Sequence, residues 1–304
     1  MWIYLPVAGM SCRLIVLVGA GAAVGFLSGL FGISGGFLLT PVLIMLGIPP
    51  TVAAASDSCQ IVAGSSSGAA AHFRLGNVDV KLGTVLLCGG LSGAWVGVRI
   101  IRVLRALGSA DFVITLTYVV VLGLIGGYMF VESLGKLRRG TRATESNRPV
   151  PSGSLLSRLP FQMDFPHSQI RQSLLVPFFL CAMVSILAAI MGVGGGFIMV
   201  PMLVYLLRMP VHVAVGTDLF QILFTCAGVT FMQATTNHTV DLVLALLLAA
   251  GSTIGAQIGA RVGRRLRGDQ IKILLASLVL LVMAKMVIGL ISRPEILLAP
   301  IRRL

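Results

Sequence analysis

The sequence predicts an all-α, polytopic helical membrane protein built from two homologous repeats, with about 8 transmembrane helices and a broken or re-entrant first helix in each repeat. Three observations predict it. The composition is too apolar for water, several uncharged runs are long enough to cross a bilayer, and the second half of the chain repeats the first.

Of 304 residues, 57% are hydrophobic and 11% charged, where an ordinary soluble domain carries about 25% charged residues. Mean hydropathy is +0.99, and several uncharged stretches exceed the ~18 residues that a spanning helix needs. Lys and Arg outnumber Asp and Glu by 23 to 10, a net charge of +13. These cations gather in the gaps between apolar runs, as membrane loops do. No basic patch interleaved with aromatics stands outside those gaps, so the lipid bilayer, and no nucleic acid, is the expected partner. Cys12, Cys59, Cys88, Cys181 and Cys226 are scattered through apolar sequence without a C-x-x-C pair. They read as packing residues, and no metal site or cofactor is expected. Only Arg13 precedes the first apolar run and no A-x-A site follows, so the N-terminal segment is expected to be retained.

The duplication rests on residues that greasy sequence does not match by chance. At an offset of 160, Gly32, Gly35, Gly36, Phe37 and Pro41 fall on Gly192, Gly195, Gly196, Phe197 and Pro201. At 161, Pro49, Asp57 and Gln60 fall on Pro210, Asp218 and Gln221. At 162, Asp79, Gly93, Gly97 and Arg99 fall on Asp241, Gly255, Gly259 and Arg261. The organisation is therefore 1–130 as a first transmembrane repeat, 131–171 as a polar cytoplasmic linker, and 172–304 as a second repeat. Helical spans are predicted at about 14–47, 52–72, 80–103 and 111–130, then 172–207, 211–234, 240–262 and 270–291. The linker contains four prolines, seven cations and three acids, a composition that belongs outside hydrocarbon.

Orientation depends on the glycine clusters. If each is a kink, eight crossings make the halves parallel, and the linker side carries 13 basic residues against 9. If each is a hairpin, ten short crossings make the halves inverted, and the linker side carries 15 against 7. Both place the linker in the cytoplasm under the positive-inside rule. Stripes of small residues recur at helical spacing: Gly21, Gly25 and Gly29, matched by Cys181, Ser185 and Ala189, and Gly93 and Gly97, matched by Gly255 and Gly259. Such stripes let membrane helices approach closely.

Two soluble-enzyme motifs fail on context. "LIVLVGAGAAVG" (14–25) lacks the acid that a dinucleotide turn needs about 20 residues on. "GISGG" fits G-x-S-x-G around Ser34, and an intramembrane serine hydrolase would need His72, His212 or His238 within reach as a base. The matching position in the second half is Gly194, so the duplicated feature is the glycine loop and not the serine.

Those loops carry the chemistry. Freed backbone at membrane depth is tolerated where it lines a cavity. A half-helix beginning near Phe37 or Phe197 would aim its partially positive N-terminus inward, an anion site. Discontinuous helices in corresponding places of two halves point to a transport site. The candidate substrate-binding residues are Gly32, Ser34, Gly35, Gly36, Ser56 and Gln60, with Gly192, Gly194, Gly195, Gly196, Thr217 and Gln221. An ionised carboxylate would repel an anion, so Asp57 and Asp218 are read as ordering the loops or carrying a coupling proton or cation. His72 and Arg74 are read as snorkelling loop residues just past a helix.

"GFLSGLFGISGGFLLTPVLIMLGIPP", "SDSCQ" and "FRLGNVD", followed by "GVGGGFIMVP" and "AVGTDLFQ", resemble the sulfite exporter TauE/SafE family, also called toluene-sulfonate uptake permeases. The likeness covers roughly 14–130 and 172–291. It implies an integral transporter of sulfite, sulfonates or related organic anions in the cell (plasma or inner) membrane, with paired central glycine loops. The family often has glycine where this chain has Ser34. The expected function is a secondary transporter of a small anionic substrate, with a homo-oligomer as a further expectation. A channel or structural membrane protein without alternating access remains the alternative, with the hydrolase behind it. No Walker motif occurs, so no ATP chemistry is expected.

Overall fold

The computed structural model describes residues 2–31, 36–139, 162–165, 170–263 and 268–292. The first repeat opens with a hairpin of β1 (Trp2–Leu5) and β2 (Met10–Arg13), followed by α1 (Leu14–Phe31), α2 (Gly36–Met45), α3 (Pro50–Arg74), α4 (Val80–Ala106) and α5 (Ala110–Arg139). The second repeats the plan with β3 (Gln162–Phe165), β4 (Ile170–Ser173), α6 (Leu175–Met191), α7 (Gly196–Tyr205), α8 (Val211–Met232), α9 (Leu242–Gly263) and α10 (Gly268–Ser292). The described helices of each repeat stop and restart on either side of its glycine cluster, α1 and α2 in the first and α6 and α7 in the second. The hairpins were not foreseen. Both strands of the second stand 160 residues after their counterparts, which places the start of the structural unit at Gln162, inside the stretch expected as linker.

Α4, α5, α8, α9 and α10 include segments long and apolar enough to cross a membrane, among the described residues. Large apolar side chains such as Phe179, Met183, Leu246, Ile254 and Leu281 face outward, as lipid contact requires. Α3 has the length, at 25 residues, but its serines, Asp57 and Gln60 lower its hydropathy. It is a helix for the interior of the protein.

Helix ends explain where the elements stop. Pro50 opens α3 and Pro210 precedes α8, positions where a missing N–H costs nothing. Asp79 and Asp241 cap α4 and α9: each accepts from the N–H three residues on, Leu82 and Leu244, at 3.1 Å. The cap residues are themselves pinned across the repeats. Asp241 N–H donates to Ser56 Oγ at 3.0 Å, and Asp79 N–H donates to Thr217 Oγ1 at 3.0 Å. The two pins are equivalent under the duplication.

The small-residue stripes pack helices from opposite repeats. Gly21, Gly25 and Gly29 of α1 lie on the backbone of Leu248, Ser252 and Ala256 of α9. Gly89, Gly93 and Gly97 of α4 lie in the same way on Phe178, Ala182 and Ile186 of α6. Both pairs run parallel, since residue numbers rise together. Α3 and α8 pair in the opposite sense: Gly68 meets Leu219, and Gly216 meets His72 and Asn77. Equivalent helices that run antiparallel relate the two repeats by an inverting, approximate two-fold axis. Phe37 and Phe197 stack near that axis with centroids 4.6 Å apart and planes 6° from parallel, and both are buried in the main core.

Backbone contact at these stripes leaves no room for a side chain. Gly93→Val and Gly259→Val are expected to force the helices apart and cost about 1–3 kcal/mol or more. Gly19→Ala, with nothing within 4 Å, should change little. Thermal melts of the purified protein in detergent compare them. Ser56→Ala and Thr217→Val each orphan a buried N–H and should cost about 1–3 kcal/mol. A melting temperature unchanged by all four disruptive variants would overturn the account of the interfaces.

Candidate functional site

The broken helices and α3 enclose the polar centre. In the second repeat the break is fully described: Gly192, Gly194 and Gly195 have φ of +77°, +74° and +86°. Three left-handed positions in four residues need glycine, and space needs it too. A Cβ on Gly192 would fall on the backbone of Ala54, and one on Gly194 would stand 3.0 Å from Cys226 Sγ. Α6 ends here with its last carbonyls unpaired by the helix. One of them, Met191 C=O, accepts from the buried Tyr118 hydroxyl at 2.6 Å.

Next to the break lies a cavity of about 580 Å³. Α1 contributes Gly25, Ser28 and Gly29 to its wall, and α3 contributes Gln60, Gly64, Ser65 and His72. Asp218 of α8, Ser252 and Gln257 of α9, and Gly196, the first residue of α7, complete the polar lining. Gln60 Nε2 donates to Ser252 Oγ at 2.6 Å across its depth. Asp218 is 1% exposed, and its Oδ1 has no hydrogen-bond partner among the described residues. His72 Nδ1 is likewise buried and unpartnered there.

The cavity reaches towards one end of the molecule. His72 is near the C-terminal end of α3, Gly29 near that of α1, Gln257 near that of α9, and Val215 near the start of α8. The helix directions bring these ends together. Α5 begins beside the start of α3, where Thr51 N–H donates to Asp111 Oδ1 at 3.0 Å. It therefore ends on the cavity side, which is the side of the linker. At the opposite end the equivalent positions are filled. Ala94, Ala189 and Val229 form a buried cluster, and Gln221 Nε2 donates to the buried Thr225 Oγ1 at 2.8 Å.

The expected site residues divide accordingly. Gln60, Asp218 and Gly196 line the cavity. Gly36 is buried, and a Cβ there would meet Ile61 and stand 3.3 Å from Asp57 Oδ2. Asp57 Oδ2 accepts from Thr40 Oγ1 of α2 at 2.7 Å, and its Oδ1 has no partner among the described residues. Ser56 and Thr217 pin the caps of α9 and α4, Gln221 sits in the closed half, and Gly192, Gly194 and Gly195 shape the turn. Gly32, Ser34 and Gly35 lie outside the described residues. His72 and Arg74 are a correction: both belong to the last turn of α3 and neither is a loop residue. The Cβ of His72 lies against Gly216, and His72 lines the cavity. Thr40, Ser65, Tyr118 and Ser252 were missed. The run "GSSSG" (64–68) was the available signal, since small polar residues on a buried helix leave space and hydrogen-bonding groups together.

The family model described as "Sulfite exporter TauE/SafE" matches residues 17–286. The probable membrane transporter protein YjnA of Bacillus subtilis is 26% identical over 282 residues, 89% of this chain and 97% of that one. A probable membrane transporter protein of Xylella fastidiosa (strain 9a5c) is 26% identical over 244 residues, 78% of this chain and 80% of the relative. Sulfite exporter TauE/SafE family protein 3 of Arabidopsis thaliana is 28% identical over 132 residues, 42% of this chain, which spans 28% of the plant protein. No solved structure matches. With the family match reaching across both repeats, the chain belongs to the sulfite exporter TauE/SafE family and is an integral membrane transporter.

Proposed function

We propose that the protein is a secondary transporter of a small anion, sulfite or an organosulfonate, in the cell (plasma or inner) membrane. The observation that carries this reading is a cavity of about 580 Å³, largely apolar with polar groups set in its wall, placed where a half-helix begins in a duplicated, inverted membrane fold. The N-terminus of α7 supplies backbone N–H groups that no helix turn can satisfy, with the positive end of the helix dipole. Gln60, Ser65, Ser252 and Thr253 are the neutral polar side chains around it; the three hydroxyls donate to helix carbonyls in this state and would turn to donate to an anion. An oxyanion with three acceptor oxygens suits such a lining, and the absence of lysine and arginine among the described lining residues favours release as well as capture.

Alternating access follows from the symmetry. One conformation is open on the linker side, and exchanging the conformations of the two repeats would close that cavity and open its counterpart at Gln221, Thr225 and Asp57. Counted along the sequence for inverted halves, the linker side carries 15 basic residues against 7, a bias that supports reading it as cytoplasmic under the positive-inside rule. Export of one negative charge is then favoured by about 2.3 kcal/mol per 100 mV, interior negative. No ATP is required.

Flux of labelled sulfite and methanesulfonate into proteoliposomes tests the reading. Wild type should carry at least one of them with saturation. Gly196→Val, which fills the cavity wall, should abolish flux while the protein still inserts and purifies, and Gln60→Ala should reduce it by about tenfold. Normal flux in both variants would place the path elsewhere, and a single-channel conductance would replace the transporter by a channel. Topology is tested with cysteines in a background lacking the native five. Arg74→Cys on the linker side should resist impermeant thiol reagents in intact cells, while Ser109→Cys at the other end should label. The reverse pattern would invert the orientation.

A further inference from the structure

The cavity is nearly free of charge, and its two exceptions are specific. Among the described residues that line it, Asp218 is the one acid and His72 the one side chain able to become a cation. Neither has a local role that would account for it. Asp218 caps no helix and Asp57, its equivalent, is bonded to Thr40, whereas the residue equivalent to Thr40 is Val200, which cannot donate. Gln233 stands at the position equivalent to His72 and is held by Asn237 and Thr239. The buried His72 Nδ1 has no such partner. Asp57 Oδ1 and Thr230 Oγ1 are also buried without a partner, but of these four atoms only those of His72 and Asp218 belong to residues that wall the cavity, one from α3 and one from α8.

Resting on the transport reading above, we propose that His72 and Asp218 couple anion binding to protons: the anion binds with His72 protonated as its counter-charge and with Asp218 neutral. Imidazole is the side chain whose charge changes across physiological pH. A cation formed at His72 attracts the anion. An ionised Asp218 repels it and would itself be buried without a partner, so binding of the anion draws a proton onto either group. By reciprocity, acidification tightens binding. Few other titratable groups compete. From α4, Asp79 faces the His72 end but is committed to capping Leu82. On α8, His212 is exposed in the first turn. Arg74, on α3 itself, is exposed. The neighbours of Asp218 are the thiols of Cys181 on α6 and Cys226 on α8, and Asp57 of α3 also acts on Cys226. The described lining from α1, α7 and α9 contributes no titratable group.

The test uses methanesulfonate, whose own charge is constant between pH 5 and 8, with calorimetry on the full-length protein in nanodiscs. Wild type should bind about tenfold more tightly at pH 6 than at pH 8, within the usual range of coupling. His72→Gln should bind at pH 6 about tenfold more weakly than wild type, and Asp218→Asn should bind more tightly than wild type at pH 8. His72→Arg keeps a positive charge at every pH and should retain tight binding at pH 8, so one folded histidine variant suffices to decide. Wild-type affinity and pH dependence in the His72 and Asp218 variants, while Gly196→Val still abolishes binding, would overturn this inference alone. Loss of all sulfonate and sulfite binding in wild type would instead remove the transport reading, and the coupling with it.

Discussion

Backbone N–H and C=O groups freed at membrane depth cost several kcal/mol each unless they find partners or face a cavity, and the break between α6 and α7 frees such groups where the first repeat likewise passes from α1 to α2. That constraint arranges the rest of the molecule. The break after α6 is closed by left-handed glycines, seated on the backbone of Ala54, and its last carbonyl is taken by Tyr118. None of these partners belongs to its own repeat. Α3, the most polar of the long helices, is placed at the centre because the breaks need polar neighbours and lipid cannot supply them. Α1, α5, α6 and α10 can then be apolar. Crossed packing of α1 on α9 and α4 on α6 ties the halves together through glycine and backbone, so neither repeat buries its own break alone.

The two halves share a plan and differ where chemistry differs. Gly64 and Gly68 of α3 correspond to Thr225 and Val229 of α8, and Ser28 and Gly29 of α1 to Ala188 and Ala189 of α6. The smaller member of nearly every such pair lines the open cavity, and the larger packs in the closed end. Gly90 corresponds to Ser252: in one half glycine makes room for the Gln221 amide, and in the other serine bonds that of Gln60. Side-chain volume therefore explains which end is open. The carboxylates diverge in the same manner, with Asp57 engaged by Thr40 and Asp218 left to face the cavity.

Much of this was legible because the informative residues are the ones that membrane sequence uses sparingly. Asp, Gln, Pro and Arg repeated at fixed offsets gave the duplication, the glycine clusters gave the breaks, and the stripes at Gly21–Gly29 and Gly93–Gly97 gave close helix contacts. The partners of those stripes were not legible, because spacing identifies a face and not the helix it meets. The hairpins were invisible for a different reason. Trp2–Leu5 and Gln162–Phe165 share position in the repeat but no residue, and four residues of strand carry too little pattern to detect. His72 was misplaced because its charge and its closeness to Arg74 suggested a helix end in the headgroups. It lies instead in the last turn of α3 and lines the cavity, where Gly216, lacking a side chain, lets α8 pack against Asn77 and the Cβ of His72.

An inverted repeat with unequal halves also bears on why a transporter would keep the asymmetry. Two identical halves would give inward-open and outward-open states of equal energy, since exchanging the repeats maps one onto the other. Each unequal pair tilts that balance. Filling the far end with Thr225, Val229 and Ala189, and bonding Asp57 there, stabilises closure away from the linker. On the open side Asp218 Oδ1 and His72 Nδ1 are already buried without partners, so a charge on either opposes a closure that removes the adjoining cavity and brings no partner. Such an opposition is removed when the groups become neutral or gain an anion to bond. A ligand shifts a two-state equilibrium only by its differential affinity for the two states. Under the coupling proposed above, the two side chains that take up protons as the anion binds are also placed to decide when the cavity can shut.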